Sequence, residues 1–555
     1  MDQLFSAATR RANLDALAAD TVDLLVVGGG ITGAGIARDA AMRGLSTALV
    51  DAGDFGRGTS SRSSRLVHGG LRYLEHGWLR LVFESSRERA VLLRIAPHLV
   101  RPTPFLFPVH ASGRVGRWTL AAGLWLYDAL SLFRNVRRHR GYGRKGVRRL
   151  EPALREQDLR GGAVYYDARC DDARLTLATV RAAHRHGARV ANYVAVTGFE
   201  KAGGRLRGAH VDDRITGARL TLHAHVIVNA TGPWTDLVRR LDEASAPPLL
   251  RPTKGAHVVV PRHRIAHTEA LTLTSPLDGR VMFVLPWGDL SIIGTTDTDV
   301  AEVADEPLAD VADVTYLLRS ANAYFPNARL ALGDVVSAWA GLRPLLAAPG
   351  ATSTAAVPRE HRLVESASGL VTIAGGKLTT FRSMAAEVVD RVARRLRTLD
   401  GRRVPAAAGT DVEALPGGEV ADLDLIVRDL VGDDIDEAMA RVLVSRYGSE
   451  AAAVANLAQR EPALARPVAP GQPVLAAEVV HQARREMAMT VADVLVRRTR
   501  RFLEDPQQAT DAAAAVAGLL APELGWGEAD VEREVQAYRD EAARMRRAIT
   551  PAPSA

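Results

Sequence analysis

Cysteine occurs once in the 555 residues, at Cys170. A single thiol excludes an internal disulfide framework and any multi-cysteine metal or iron–sulfur site, and it suits a reducing compartment. Lysine is nearly as scarce: Lys145, Lys201, Lys254 and Lys377 are the only four among 71 basic side chains. The chain uses arginine wherever either cation would serve, so the two lysines within glycine-marked strand segments, Lys254-Gly255 and Gly376-Lys377, stand out. No run reaches the roughly 18–20 apolar residues needed to cross a bilayer. Arg10-Arg11 near the start is followed by Asp15 and Asp20, where an export signal needs an apolar core, so no signal peptide is expected. No internal repeat is present.

What remains is an ordinary soluble composition, 47% hydrophobic and 24% charged. At roughly 150 residues per domain, the length suggests two to four domains. The net charge is +7, yet residues 134–149 hold eight Arg/Lys and no acid, and without them the count is −1. The basic character therefore belongs to one patch. Just before it, Trp118 to Phe133 is apolar and aromatic. Such a helix with a polybasic run behind it fits a segment lying in the interface of an anionic membrane. A core helix followed by a solvated basic loop fits equally well. No stacking-aromatic or groove-reading pattern accompanies the patch, so nucleic acid is not an expected partner.

The most informative segment is Val22 to Asp51. A short apolar strand run, Val22 to Val27, breaks at Gly28-Gly29-Gly30-Ile31-Thr32-Gly33 into a helix reaching Arg43. A second strand, Ser46 to Val50, ends in Asp51. In this βαβ unit Gly28 permits the tight turn, Gly30 lets a pyrophosphate approach the backbone, and Gly33 lets helix and strand pack closely. The helix N-terminus offers free N–H groups and partial positive charge to phosphates. Asp51 is placed to accept a ribose 2′-hydroxyl. Two further strand ends carry glycine, at Ala230-Thr231-Gly232 and Gly375-Gly376-Lys377. A cofactor stretched across the sheet would use several such turns, which favours FAD over NAD.

The chain divides, on this reading, into a loose amphipathic lead (1–20), an oxidoreductase region (21–403), a linker (404–418) and a helical C-terminal domain (419–550). Within 21–403, cofactor-binding parts fall at about 21–110, 160–250 and 336–403, and substrate-domain parts at about 111–159 and 251–335. The expected fold is α/β: a doubly wound FAD domain of the glutathione-reductase or D-amino-acid-oxidase kind, a strand-rich substrate domain and an all-α C-terminal domain. Glu478 to Leu503 has the clearest helical repeat of apolar positions. The pair Asp171-Asp172 lacks nearby histidines or further carboxylates, so it is read as a helix cap rather than a metal site.

The run Ser63 to His76 (SSRLVHGGLRYLEH) resembles the flavin-linked glycerol-3-phosphate dehydrogenases. So do Asp171-Asp172-Ala173-Arg174-Leu175, Val228 to Trp234, Lys254-Gly255-Ala256-His257, Ile293 to Asp297, Gly341-Leu342-Arg343-Pro344 and Gly375 to Thr380, in the family's order. Val496-Arg497-Arg498-Thr499 is similar to the family's C-terminal cap domain. The resemblance implies non-covalent FAD, oxidation of sn-glycerol 3-phosphate to dihydroxyacetone phosphate, and electrons passed to a membrane quinone from the inner, cytoplasmic face of the cell membrane. It places Arg343, Arg359 and Lys377 on the substrate phosphate, and Arg72 as a fourth cation near the flavin. Fork-shaped guanidinium groups suit that dianion. It also assigns Leu66, Gly69, Val194, Leu378 and Thr379 to the cofactor, with His68 lending its backbone to the flavin ring.

Thr59, Ser60, Ser61 and Ser64 are candidate donors to the pyrophosphate, although some of the four serve only as a capped turn. His257 is the candidate proton acceptor, because imidazole titrates near working pH. Alternatively an arginine (Arg343 or Arg72) stabilises the alkoxide and solvent takes the proton. Three rival functions stand beside the dehydrogenase. A glycerol-3-phosphate oxidase using oxygen shares almost every motif but has no need of the interfacial segment at about 113–149. An amine or amino-acid oxidase would need an apolar pocket, not several cations. A non-catalytic flavin-binding protein leaves Arg343, Arg359 and Lys377 unexplained. A homodimer stays open.

Overall fold

The computed structural model describes residues 4–113, 115–131, 136–347, 360–433 and 435–550, excluding the side chains of Arg72 and His76. Two large sheets organise it. In the first, five parallel strands run in the spatial order Leu370–Gly375, Arg219–Asn229, Thr21–Val27, Thr47–Val50 and Arg189–Ala191. His361–Glu365 adds an antiparallel edge, and a hairpin of Val194–Ala202 and Arg205–Asp213 pairs onto Arg219–Asn229. Residues 22–27 are buried throughout because both faces are covered. Leu24 and Val26 pack with Ala34, Ile36 and Ala40 of helix Ile31–Met42, while Val22, Leu25 and Val27 pack with Leu14, Leu17 and Val211 on the other face. Helices Asp172–Arg185 and Phe381–Asp400 flank Ile31–Met42 on the first face.

The second sheet has ten strands, ordered Thr298–Asp299, Thr253–Pro261, Leu290–Gly294, Val281–Trp287, Ala270–Thr274, Val100–His110, Leu159–Cys170 and Leu66–Val67. Ser337–Arg343 pairs with Thr253–Pro261, and Arg140–Gly143 with Leu159–Cys170. The basic run is thus not a free loop: part of it is an edge strand followed by helix Arg144–Leu150. The helical C-terminal part spans Leu423–Leu430 to Glu528–Ile549.

Two expectations are corrected. The lead is not loose. Helix Ala7–Ala19 docks through Arg10, whose guanidinium is buried against Asp213 at 2.5 Å and donates to Asn192 O at 2.9 Å. Glu478 to Leu503 is not one helix either. Ala476–Arg485 ends, Met487 adopts φ +51°, and a π-helical turn at Asp493–Arg498 follows. Buried ion pairs enforce the break: Glu486 takes Arg174 at 2.5 Å, and Asp54 takes Arg497 at 2.6 Å and also Arg498. These pairs weld the helical part to the cofactor sheet, and breaking a buried pair typically costs about 3–5 kcal/mol. The Asp171 cap is as read, its carboxylate accepting from Arg174 N at 3.1 Å.

Candidate active site

A cavity of about 500 Å³ runs from the carboxyl ends of the parallel strands to the face of the second sheet. At its cofactor end, Gly28 has φ +108°, and a Cβ there would meet Ala230 O at 2.7 Å. A Cβ on Gly33 would lie 1.8 Å from Gly28 O, so this helix can approach its strand only with glycine there. Gly30 caps helix Ile31–Met42, and the Ser60 hydroxyl accepts from Ile31 N at 2.9 Å. Asp51 accepts from Gly29 N at 2.6 Å and Gly53 N at 2.8 Å, while burial pushes its carboxyl up to about 6. Gly28, Gly30, Asp51, Thr59, Ser60, Val194, Thr231, Gly232 and Gly375 all line this cavity. A glycine-capped helix N-terminus, close-approach glycines and an acidic strand end around one elongated space fit FAD.

At the other end stand Ser64, Leu66, His68, His257, Arg343, Lys377, Leu378 and Thr379. The imidazole of His257 stacks on Trp339 (4.8 Å between centroids, 11° between planes), and its Nε2 lies 2.8 Å from Ser64 Oγ. Gly294 makes room for the ring, since a Cβ there would meet His257 Cδ2 at 2.0 Å. Burial, followed by the charges of Arg343 and Arg65, holds this imidazole well below its ordinary value. It is therefore neutral and can accept a proton. Arg343 is fixed by Asp297 at 3.0 Å, Thr295 Oγ1 at 3.0 Å and Thr296 O at 3.0 Å. Its guanidinium passes over Gly255, where a Cβ would be 2.3 Å away. The Lys377 ammonium sits 3.6 Å from the Tyr73 ring centroid and 3.4 Å from Ser85 Oγ. Thr379 Oγ1 accepts from His68 N at 3.3 Å, tying the two glycine-marked segments together.

Not every sequence candidate reaches the cavity wall. Gly33 and Gly69 act from behind it: Gly69 N donates to Asp167 at 3.0 Å, and Ser61 lies in the 3-10 turn Thr59–Ser61. Arg359 lies outside the described residues. Arg72 belongs to the 3-10 helix Leu71–His76, and its side chain is outside the described atoms. Lys254 is turned to Asp310 and Asp313, at 2.7 Å from each. Tyr73, Phe283 and Gly255 line the cavity without having been singled out, although Tyr73 and Gly255 sit inside the quoted motifs. Among the described residues, no cluster of His, Cys, Asp and Glu could hold a metal ion.

The comparisons agree with this geometry. Residues 23–390 match the FAD dependent oxidoreductase family, and residues 408–531 match the C-terminal domain of alpha-glycerophosphate oxidase. Glycerol-3-phosphate dehydrogenase 2 of Mycobacterium tuberculosis is 41% identical over 529 residues, covering 94% of this chain and 88% of that protein. The aerobic glycerol-3-phosphate dehydrogenase of Staphylococcus aureus is 36% identical over 531 residues, covering 94% of each. The crystal structure of glycerol-3-phosphate dehydrogenase from Bacillus halodurans complexed with FAD superposes with a TM-score of 0.81 at 32% identity, covering 99% of both chains. A dinucleotide cradle opening onto a neutral histidine, an arginine and a lysine, within a chain similar to these proteins along nearly its whole length, places the chain in the FAD-dependent glycerol-3-phosphate dehydrogenase family.

Proposed function

We propose that the protein oxidises sn-glycerol 3-phosphate to dihydroxyacetone phosphate and passes the electrons to a membrane quinone. The observation that carries the substrate is the presence of Arg343 and Lys377 on the wall of the same cavity as the neutral, buried His257. A phosphate monoester needs fixed cations, and a secondary alcohol losing hydride needs a nearby group to take its hydroxyl proton. Arg343, pre-set by Asp297 and Thr295, and Lys377 hold the phosphate, with Arg359 and Arg72 proposed as further cations on that side. His257 Nε2, oriented by the Ser64 hydroxyl, takes the C2-hydroxyl proton. Bound FAD supplies the hydride acceptor.

The acceptor beyond the flavin is read from the surface. Helix Arg117–Leu130 buries Leu120, Leu124 and Tyr127 yet leaves Trp118 83% and Trp125 55% exposed, with Ala122, Leu126 and Ala129 exposed beside them. Tryptophans this open, next to exposed Arg137, Arg138, Arg140, Arg144, Lys145, Arg148 and Arg149, suit an anionic lipid surface. No helix of the described residues is long and apolar enough to cross a membrane, so the proposed attachment is peripheral. Turnover with a quinone analogue in anionic vesicles, run beside a peroxide assay in air, tests the acceptor. Fast quinone reduction with negligible peroxide is expected, and peroxide formed stoichiometrically with substrate consumed would instead make the protein an oxidase.

A further inference from the structure

Behind the cavity wall lies a cation that the proposed chemistry leaves unused. Arg65 is 4% exposed and has φ +57°, a left-handed conformation that costs an arginine energy. Its guanidinium carbon sits 4.2 Å from the Trp287 ring centroid and 5.0 Å from that of Trp339. Its Nε and Nη1 are buried without a hydrogen-bond partner, and among the described residues it forms no ion pair. The nearest carboxylates are engaged elsewhere: Asp172 accepts from Ser63 N at 3.1 Å and Ser63 Oγ at 2.7 Å, and Asp171 is bonded to Arg500. Burying a cation on aromatic faces alone is a poor trade for stability, because cation–π contact returns only about 2 kcal/mol in a desolvated site. The placement needs another explanation, and the second neighbour of Trp339 supplies it. That indole stacks on His257 at 4.8 Å, while Ser64, the residue before Arg65, bonds His257 Nε2 at 2.8 Å.

We propose that Arg65 is a positioning residue for His257: through Trp339 and the Ser64–Arg65 backbone it fixes the imidazole plane, and with it the direction in which the ring presents Nε2. The charged groups acting on His257 are Arg343 on strand Ser337–Arg343 and Arg65 on the Ser63–Arg65 segment, both cationic, and strand Leu290–Gly294 presents only Gly294. Asp297 is tied to Arg343. The helical C-terminal part contributes as well, since Arg500 lies 5.6 Å from the other ring of the box, Trp287.

The inference rests on His257 being the proton acceptor, and two readouts separate the claims. The first is the order of the His257 ring in FAD-loaded enzyme, followed as the linewidth of the ¹³C-labelled histidine resonance from about pH 5 to 8 and assigned with His257→Gln. The second is the anaerobic rate of flavin reduction by glycerol 3-phosphate over the same range. Wild type and Arg65→Lys are expected to show one sharp His257 resonance throughout. Arg65→Met should broaden that resonance and slow reduction at least threefold across the range while FAD stays bound. Should Arg65→Met fail to fold, Trp339→Leu, which removes the stack but keeps the cation, should broaden the His257 resonance and slow reduction likewise. A His257 resonance that stays sharp, with reduction unslowed, in the variant that folds would overturn the proposal. If instead His257→Gln reduces flavin as fast as wild type, the proton-acceptor reading fails, while the NMR titration still reports on Arg65.

Discussion

Ser64 Oγ and His257 Nε2 lie 2.8 Å apart, which joins the serine-rich segment after the dinucleotide turn to strand Thr253–Pro261 of the second sheet. The hydroxyl fixes where the imidazole nitrogen points, and burial keeps the ring neutral. His257→Gln should slow flavin reduction by about 10²–10⁴-fold, the usual contribution of a positioned base. Ser64→Ala, which frees the ring but keeps it, should cost less. Binding of dihydroxyacetone phosphate should change little in either variant. Stopped-flow reduction alongside product titration checks both.

Gly30 and Gly33 separate cofactor approach from packing. A Cβ on Gly33 would sit 1.8 Å from Gly28 O, whereas one on Gly30 would meet nothing closer than Ser60 Oγ at 3.2 Å. Gly33→Ala should therefore lose FAD and lower the apoprotein's stability by about 1–3 kcal/mol or more, as overpacking does. Gly30→Ala should lose FAD affinity with the apoprotein's melting temperature unchanged. The flavin-to-protein ratio and apoprotein melting distinguish the two.

Three buried histidines make the fold acid-labile. Burial lowers His98 to about 3, His267 to about 4 and His481 to about 4. Each titrates near 6.5 in the unfolded chain, so below that pH the unfolded state binds protons that the folded state refuses. Their contribution is complete above pH 6.5 and is lost progressively as pH falls from there toward about 4. Urea midpoints measured between pH 7.5 and 5 should hold down to about pH 6.5 and then fall. Substituting His481 with Gln should flatten part of the slope, and a midpoint insensitive to pH over this range would contradict the linkage.

The exposed tryptophans predict lipid dependence. Trp118→Ser together with Trp125→Ser should weaken sedimentation with anionic vesicles by at least tenfold while anaerobic flavin reduction in solution stays normal. Raising salt should weaken wild-type binding through the basic run, because screening shortens the reach of its charges. Undiminished sedimentation of the double variant would dismiss this face as the attachment site.

The parts of the architecture legible in sequence were those governed by local rules. Val22 to Val27 reads as a strand buried on both faces, and the glycines at 28, 30 and 33 mark a turn that only they permit. The break after Arg485 was not legible, because its causes lie far along the chain: Arg174 bonds Glu486, and Asp54 draws in Arg497 and Arg498. Arg10 was hidden for the same reason, its burial depending on Asp213. In the site, Arg343 and His257 could be found through motif context, but the burial that keeps His257 neutral and the Trp339 stack that holds its ring come from segments that no spacing connects to it. Lys254, which its rarity and its glycine neighbour made stand out, is held by Asp310 and Asp313.

The most direct measurement is anaerobic titration of the yellow, FAD-loaded protein. Glycerol 3-phosphate should bleach the flavin absorbance stoichiometrically, whereas glycerol and amino acids should leave it unchanged. A flavin that ignores glycerol 3-phosphate, or bleaches equally well with unphosphorylated glycerol, would contradict the assignment of Arg343 and Lys377 as the phosphate clamp and, with it, the proposed reaction.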